Sequence, residues 1–411
     1  MTDAAQAAGR AVARLAAAIL EVRPLAERLA GPGGIGGVIG MIGDVDGPTR
    51  QVVHRVVDRL LAQAPEQPPG RLPGRVPGPA GGAAGAGREP FVRVVRERLD
   101  VAALALALAS AGPPDPAAVD RIVDDVVRDD VTTLCRTTVV TAPDGARVRA
   151  TAAGDPHAPA VVIASACGMP VRLAERWIRR FARDHHVVTW ESRGLFGGTG
   201  PDRPDLRTGV DAQVEDLFAV LAHTGQQRAH VVGLCGGAVL AVEAAARSPE
   251  RVSGLSLWHG DFDLGPGTPK TDHQRNLQAL MAMAARSPEA AAQVHAVLGR
   301  ALLDSTPPEL AHLVLYPYVD PDLLHRYCRL NGAIMERDLR DVLPRVGVPA
   351  VVVTSEDDRT AHRDGSLLVA ARLPAARLVV NPHGDHLSLF GAGPAFLDDA
   401  VRLVRDLGSR V

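Results

Sequence analysis

The stretch Val231-Val232-Gly233-Leu234-Cys235-Gly236-Gly237-Ala238-Val239-Leu240 decides the fold of this chain of 411 residues. An apolar run leads into Gly-x-Cys-x-Gly, and an alanine-rich segment with helical spacing follows. This order is typical of a nucleophile elbow, a sharp turn between a buried strand and a helix. Glycines flank the turn because its central residue must adopt backbone angles that most side chains avoid. The pattern predicts that Cys235 stands alone at the carboxyl edge of a sheet.

A thiol at this position can serve as a nucleophile. In general, a helix N-terminus and a nearby imidazole both favour the thiolate, which is the reactive form of cysteine. A small buried cysteine that only packs inside a strand-to-helix turn is the alternative interpretation. Residues further along the chain, described below, favour the nucleophile.

Length, charge and cysteine content limit the class of protein. A chain of 411 residues can bury a large core in two or three domains, and its net charge of −2 gives no reason to expect nucleic acid or an anionic membrane as partner. The four cysteines form no C-x-x-C pair, so no metal site or cofactor is predicted. The first residues do not resemble a secretory signal, and the longest apolar run, 101–109, is too short to cross a bilayer. A cytoplasmic protein with reduced thiols is expected.

The first 130 residues divide into three predicted regions. Residues 1–62 carry apolar side chains at helical spacing, and residues 89–130 return to the same pattern. Between them, residues 63–88 are rich in proline, glycine and alanine without periodicity, which predicts a linker. For residues 89–130, covering the second domain, dimerisation and binding of a partner stay open as roles, and the role of residues 1–62 is left unassigned.

From about residue 131 onwards, strand and helix patterns alternate, which predicts a mostly parallel sheet. A hairpin with an Asp144-Gly145 turn opens this part of the chain. Short apolar runs at 161–164 and 187–190 have the length of buried strands and end in polar or glycine-containing loops. The strand at 230–232 then leads into the elbow.

This order of elements resembles the α/β-hydrolase family over residues 131–411. The resemblance depends on the hairpin, the loop around Gly168, the Arg193-Gly194 turn and the elbow, in which Cys235 replaces the usual serine. It implies an α/β-hydrolase fold with a mostly parallel central sheet, preceded here by the N-terminal helical region. The mostly helical segment at about 264–336 would be the cap that shapes an acyl pocket.

The resemblance also implies an oxyanion hole made of two backbone N–H groups. Carried over to this sequence, the donors belong to Met169 and to Gly236, the residue after the nucleophile. Two such donors aimed at a developing oxyanion lower the barrier to acyl transfer considerably. The family usually has histidine where this chain has Cys167, which leaves a second reactive thiol as the alternative to a packing role for Cys167.

The last third of the chain supplies the other two members of a triad. Asp358 follows the strand at 349–354 at the spacing of the family's acid. His383 and His386 follow the next strand, and the family's histidine comes after a Gly-x pair, which selects His386. The order nucleophile, acid, histidine is the order that this fold uses.

Each of these residues has an expected role. His386 would take the proton of Cys235 or pair with it as imidazolium and thiolate, and Asp358 would orient the imidazole. Asp261, which follows the preceding strand, is the alternative acid because a residue there can reach the same ring.

Together these features predict an enzyme that transfers acyl groups through an acyl-cysteine. A thioesterase or acyltransferase of specialised metabolism is favoured, acting on a small acyl group carried as a thioester of CoA or of a carrier protein. No nucleic-acid or membrane partner is expected, and the oligomeric state is left open. Dienelactone hydrolases share the cysteine elbow, so an ester or lactone hydrolase is one alternative. A non-catalytic binding protein with the hydrolase fold is the other, and the intact triad residues and Gly168 argue against it.

Overall fold

A computed structural model describes residues 3–30, 36–63, 88–196, 205–298 and 306–408 of the chain. The chain folds as two compact units. One comprises residues 1–134 and 295–320, and the other comprises residues 135–294 and 321–411. Residues 64–87, almost all of the predicted linker at 63–88, lie outside the described residues.

The described helices, in chain order, are α1 (Asp3–Ala30), α2 (Gly37–Met41), α3 (Gly47–Gln63), α4 (Glu89–Leu99), α5 (Val101–Ala111), α6 (Pro116–Asp129), α7 (Val131–Leu134), α8 (Glu175–Phe181), α9 (Val210–His223), α10 (Gly237–Arg247), α11 (Asp272–Ala284), α12 (Pro288–Leu298), α13 (Pro308–Val314), α14 (Pro321–Met335), α15 (Arg363–Arg372) and α16 (Pro394–Gly408). The strands are β1 (Arg136–Thr141), β2 (Arg147–Ala153), β3 (Ala160–Ala164), β4 (His186–Trp190), β5 (Ala229–Leu234), β6 (Val252–Trp258), β7 (Ala350–Ser355) and β8 (Ala376–Asn381).

The first unit is a set of packed helices. Helix α1 buries an apolar stripe that recurs at three- and four-residue steps, as expected for a helix with one face in a core. Helices α3 and α6 are joined by two ion pairs, Arg55 with Asp120 at 2.5 Å and Arg59 with Asp124 at 2.7 Å. The segment 295–320, which lies inside the predicted cap, clusters with this unit.

The second unit is built on a sheet of eight strands in the order β1-β2-β4-β3-β5-β6-β7-β8. The predicted hairpin is present, since β1 and β2 pair antiparallel with Thr141 opposite Arg147. Strands β3 to β8 run parallel to one another. Every residue of β5 is buried, because helices cover a parallel sheet on both faces. The carboxyl ends of the parallel strands meet at one edge, which is where ligands bind in sheets of this kind.

Between β6 and β7 the chain leaves the sheet and forms helices. Helix α11 begins with a capping box, in which the Thr271 hydroxyl accepts from the Gln274 N–H and the Gln274 side chain accepts from the Thr271 N–H. Helix α14 packs against α11. Among the helices described, none combines the length and the hydropathy needed to cross a membrane.

Candidate active site

The predicted elbow is present at the end of β5. Cys235 has a φ of 56°, in the left-handed region, and its N–H donates to the carbonyl of Trp258 at 3.0 Å. A Cβ atom on Gly233 would lie 2.5 Å from the Cα of Ala238, and one on Gly237 would lie 1.9 Å from the carbonyl oxygen of Ala164. Only glycine fits at either position, because the backbones approach so closely. The half-buried Cys235 side chain is therefore held at the tip of a tight turn.

The two predicted oxyanion donors differ in their surroundings. Gly236 has helical backbone angles just before α10, and its N–H donates to no other described residue. The Met169 N–H donates to Ala166 O within its own turn, at a long 3.4 Å. Neighbouring Gly168 has a φ of 77°, and its N–H donates to the Ser192 hydroxyl at 2.9 Å. Gly236 thus offers a ready donor at a helix N-terminus, whereas Met169 must give up a weak bond to act as the second.

His386 lies in a short 3₁₀ turn directly after the loop that follows β8, and it is buried. Its Nδ1 is 3.2 Å from Oδ2 of Asp358. The Ser355 hydroxyl at the end of β7 donates to the carbonyl of Gly384, which ties this loop to the neighbouring strand. His383 is exposed and lies 3.4 Å from Asp357 instead. The structure therefore brings His386, and not His383, to the predicted acid.

Asp358 is buried, and four hydrogen-bond contacts surround its carboxylate. Oδ1 accepts from the backbone N–H groups of Thr360, at 2.8 Å, and Ala361, at 3.0 Å. Oδ2 is contacted by His386 Nδ1 and, at 2.8 Å, by His259 Nδ1. Burial alone would raise the pKa of Asp358, but the bonds from His259 and His386 outweigh it and hold the pKa well below its usual range.

Asp261 does not contact the imidazole of His386 by a hydrogen bond. Its Oδ1 accepts from the Gln274 amide at 2.5 Å, which ties it to the first turn of α11. Burial raises the pKa of Asp261, and the Gln274 bond opposes that shift. The alternative acid is thus close enough to interact electrostatically with His386, while Asp358 makes the direct contact.

The electrostatics of His386 join the predicted acid to the predicted nucleophile. Burial alone would lower the pKa of His386, but interactions with Cys235 and with the Asp358 carboxylate raise it well above its usual value. The other ring nitrogen, Nε2, is buried and makes no hydrogen bond of ordinary geometry within the described structure. Cys235, His386 and Asp358 therefore form one connected electrostatic unit, in the order expected for a triad.

Cys167 lies near the elbow but is fully packed. Its sulfur is 3.8 Å from Gln213 Oε1 and 3.7 Å from the Ser192 hydroxyl. Burial raises the pKa of Cys167 to about 12, so its thiol stays protonated at neutral pH. These surroundings favour the packing role over a second reactive thiol.

His259 is a site residue that the sequence pattern did not single out. It follows β6 directly, its φ is 47°, and its N–H donates to the carbonyl of Val353 at 2.9 Å. Its ring lies edge-on to that of His386, with the centroids 5.9 Å apart. The signal that the sequence offers is a histidine at a strand end, two residues before Asp261.

Three of these residues have the donor atoms of a metal site. His259, Asp358 and His386 each offer one ligand atom, and the three atoms lie within 4.8 Å of one another. The two nitrogen–oxygen separations, 2.8 and 3.2 Å, are those of hydrogen bonds. This geometry is that of one carboxylate shared by two imidazoles.

One face of α14 covers the elbow. Ile334 and Asn331 are the nearest neighbours of a Cβ built on Gly236, at 3.3 and 3.5 Å, and the Tyr327 ring lies 2.4 Å from one built on Gly168. These three residues follow helical spacing and so share one face. The Asn331 Nδ2 lies 3.3 Å from the sulfur of Met281, a weak acceptor. A polar amide with a poor partner thus stands beside the predicted oxyanion donor.

Comparison with known proteins gives relatives of low identity. No family model matches the chain. A protein named "Putative carbamate hydrolase RutD" from Pseudomonas savastanoi pv. phaseolicola is 26% identical over 243 residues, which is 56% of this chain and 88% of the relative. The protein of the same name from Caulobacter sp. strain K31 is 27% identical over 221 residues, 51% of this chain and 77% of the relative.

Solved structures match the chain at the level of fold. The enol-lactonase from Burkholderia xenovorans LB400 is 21% identical with a TM-score of 0.51, covering 65% of this chain and all of that one. The esterase EaEST from Exiguobacterium antarcticum is 17% identical with a TM-score of 0.54, covering 66% of this chain and all of that one. The expected α/β-hydrolase fold is confirmed, with its sheet of eight mostly parallel strands.

Proposed function

We propose that this chain, which has the α/β-hydrolase fold, transfers acyl groups through an acyl-cysteine on Cys235 and acts as a thioesterase or acyltransferase. His386 is the general base and acid, and Asp358 orients it. The single observation that supports this most directly is the buried imidazole of His386, which contacts the Asp358 carboxylate and interacts with the elbow thiol.

Acylation uses the thiol and the imidazole. His386 accepts the proton of Cys235, and the sulfur attacks the acyl carbonyl carbon, so that a C–S bond forms and the carbonyl oxygen becomes negative. The Gly236 N–H, with Met169 as the second donor, stabilises that oxygen. When the tetrahedral species collapses, the bond to the leaving thiolate or alkoxide breaks, and His386 returns its proton to that group.

Deacylation runs the same steps with a second nucleophile. His386 takes a proton from water, an alcohol or an amine, and that oxygen or nitrogen attacks the acyl carbon. The C–S bond breaks, and Cys235 leaves as a thiolate that recovers the proton from His386. A thioester intermediate suits this exchange because a thiolate leaves more readily than an alkoxide. An acyl group delivered as a CoA or carrier-protein thioester would enter in a nearly isoenergetic step.

A hydrolase of carbamate, ester or lactone bonds, acting through the same triad, is the second candidate. The relatives described above, at 26% and 27% identity, bear the name "Putative carbamate hydrolase RutD", which favours a carbamate or a related carbonyl bond as the bond that is cleaved. The bond that is cleaved distinguishes the two candidates, a thioester in the first and a carbamate, ester or lactone in the second.

The test is the mass of the intact protein after brief incubation with an acetyl thioester of N-acetylcysteamine. We expect the wild type to gain the mass of one acetyl group, and peptide mapping to place it on Cys235. Cys235→Ala should gain none and should lose turnover, whereas the matched control Cys167→Ala should behave like the wild type.

An acetyl adduct on Cys235→Ala, or turnover of the thioester by this variant at the wild-type rate, would refute the acyl-cysteine. Products formed in ¹⁸O-labelled water then separate hydrolysis from transfer, because only hydrolysis places the label in the released acid. Rates of turnover with the acetyl thioester and with a matching ester and carbamate separate the two candidates. A primary amine added as competing acceptor reports transfer.

A further inference from the structure

We propose that His259 is a positioning residue, which shares with His386 the single carboxylate oxygen on which the triad depends. This proposal rests on the proposed function in one respect, that Asp358 is the acid of His386. It assigns a task to a residue directly after β6 that is not among the residues implied by the family resemblance.

The geometry requires His259 to donate. Asp358 is held as a carboxylate, which can only accept hydrogen bonds, and Nδ1 of His259 lies 2.8 Å from its Oδ2. His386 approaches the same oxygen at 3.2 Å, the longer of the two contacts. Oδ1 is already occupied by the N–H groups of Thr360 and Ala361. His386 therefore shares its acceptor with a closer donor.

Burial and backbone conformation support a dedicated role. His259 is 1% exposed, so its bond to Asp358 is protected from water. Its φ of 47° is in the left-handed region, which costs free energy in a residue other than glycine. This conformation, together with the bond from its N–H to Val353, aims the ring at the neighbouring strand end. Strain of this kind persists where the surrounding structure over-determines it.

The consequence for His386 has a definite sign. A carboxylate oxygen that accepts two hydrogen bonds holds each donor less strongly than one that accepts a single bond. His259 thereby limits how firmly Asp358 stabilises the protonated form of His386. Without it, the imidazolium would be held too well, and His386 would be slow to act as a base at neutral pH.

Other charged groups surround this ring and remain unchanged in the test. Cys235 faces it from the elbow, Asp261 from the loop after β6, and His273 from α11. Lys270 interacts with Asp261 rather than directly with the imidazole. The variants therefore alter one donor to Asp358 and leave these other groups in place.

Three substitutions of His259 separate the effect of its hydrogen-bond donor from the effect of its left-handed backbone conformation. His259→Asn keeps an N–H donor near the position of Nδ1 and tolerates a left-handed backbone. His259→Ala removes the donor, and His259→Gly removes both the donor and the strain. The protonation midpoint of His386 is followed by NMR of its ring proton, with EDTA present so that no divalent ion occupies the three donors, and circular dichroism confirms the fold.

We expect the midpoint to rise by about one pH unit in the alanine and glycine variants and to stay near wild type in the asparagine variant. Turnover of the acetyl thioester should fall about tenfold at neutral pH in the first two and recover as the pH is raised by that unit. An unchanged or lowered midpoint in both donor-free variants, or an asparagine variant that behaves like alanine, would overturn the proposal.

The midpoint does not depend on any substrate. If the midpoint moves as expected but no acyl adduct forms on Cys235 in the wild type, the proposed function fails and the role of His259 stands. If the adduct forms and the midpoint does not move, the proposed function stands and the role of His259 fails.

Discussion

Replacing Asp358 with asparagine should reverse the tautomer of His386. All four contacts to the wild-type carboxylate come from hydrogen-bond donors, two backbone N–H groups on Oδ1 and two imidazoles on Oδ2. An asparagine amide has one accepting oxygen and one donating NH₂ group. The NH₂ group must therefore face either the two backbone N–H groups or the two imidazoles, which are donors in the wild type. Backbone N–H groups cannot change, whereas an imidazole can move its proton from Nδ1 to Nε2. The amide oxygen will therefore face Thr360 and Ala361, and its NH₂ group will face the two rings.

The size of the loss follows from this reversal. With Nδ1 accepting from the new amide, the proton of His386 sits on Nε2 and the ring can no longer take one from Cys235. A serine protease with the equivalent wrong tautomer loses about 10⁴ in kcat. The same loss is expected here, which corresponds to about 5.5 kcal/mol of barrier at about 1.36 kcal/mol for each factor of ten.

Steady-state turnover of the acetyl thioester measures the loss, and ¹⁵N chemical shifts of the ring report the tautomer. Asp261→Asn is the matched control, since it removes the alternative acid. Its amide oxygen can still accept from Gln274, whose own oxygen is fixed by the N–H groups of Thr271 and His362. This control should lose less than fivefold in turnover. The substitution weakens the contact with Gln274 and removes a carboxylate that interacts with His386 without a hydrogen bond to it.

The reasoning would be wrong if Asp358→Asn kept turnover within tenfold of the wild type while Asp261→Asn lost it. That result would move the role of acid to Asp261. Equal large losses in both variants, with the ring of His386 unchanged in tautomer, would show that neither carboxylate acts through the imidazole in the way described.

The remaining predictions concern packing, substrate binding and pH. Gly237→Ala should cost about 3 kcal/mol of the free energy of unfolding in urea, because its Cβ would lie 1.9 Å from the Ala164 carbonyl oxygen. Gly236→Ala has helical backbone angles and a Cβ that would lie 3.3 Å from Ile334, so it should cost about 1 kcal/mol or less. Asn331→Ala should raise KM for the acetyl thioester about tenfold, because the variant loses one neutral hydrogen bond from the Asn331 amide to the bound substrate. Alkylation of the elbow thiol by iodoacetamide should not slow. The raised pKa of His386 means that protonation of this ring stabilises the folded state. This contribution to the free energy of unfolding is complete below the unfolded pKa of about 6.5 and is lost as the pH rises through the folded pKa. Urea titrations at several pH values measure it.

The elbow could be predicted from sequence because its requirements are local. Gly233 and Gly237 are needed for contacts within a few residues or with one adjacent strand end, and the pattern Gly-x-Cys-x-Gly states both. Asp358 and His386 could be placed because each follows a strand at a characteristic spacing. Their mutual contact is long-range, but it follows once the strands are known to be neighbours and parallel.

What sequence did not supply depends on contacts between distant parts of the chain. The segment 295–320 has the same helical, partly apolar character as the rest of the predicted cap. Its link to the first unit includes Asp320, which accepts from Arg28 Nε at 2.5 Å, a contact between residues 292 positions apart. The hydrogen bond from the Met169 N–H to the carbonyl of Ala166 could not be predicted either, since a motif fixes the position of a loop but not the partner of each N–H group.

His259 shows most clearly why the site exceeds the motif. In the sheet, Leu234 lies opposite Trp258, and Trp258 lies opposite Val353, so that the three strands end at nearly the same level. The residues that follow β5 and β6, Cys235 and His259, both adopt the left-handed conformation. One turn presents the thiol toward His386, and the other presents an imidazole to the carboxylate behind it. Sequence patterns considered one strand end at a time indicate Cys235 and Asp358. The contact between Asp358 and His259, at the end of a third strand, depends on how the strands are aligned in the sheet.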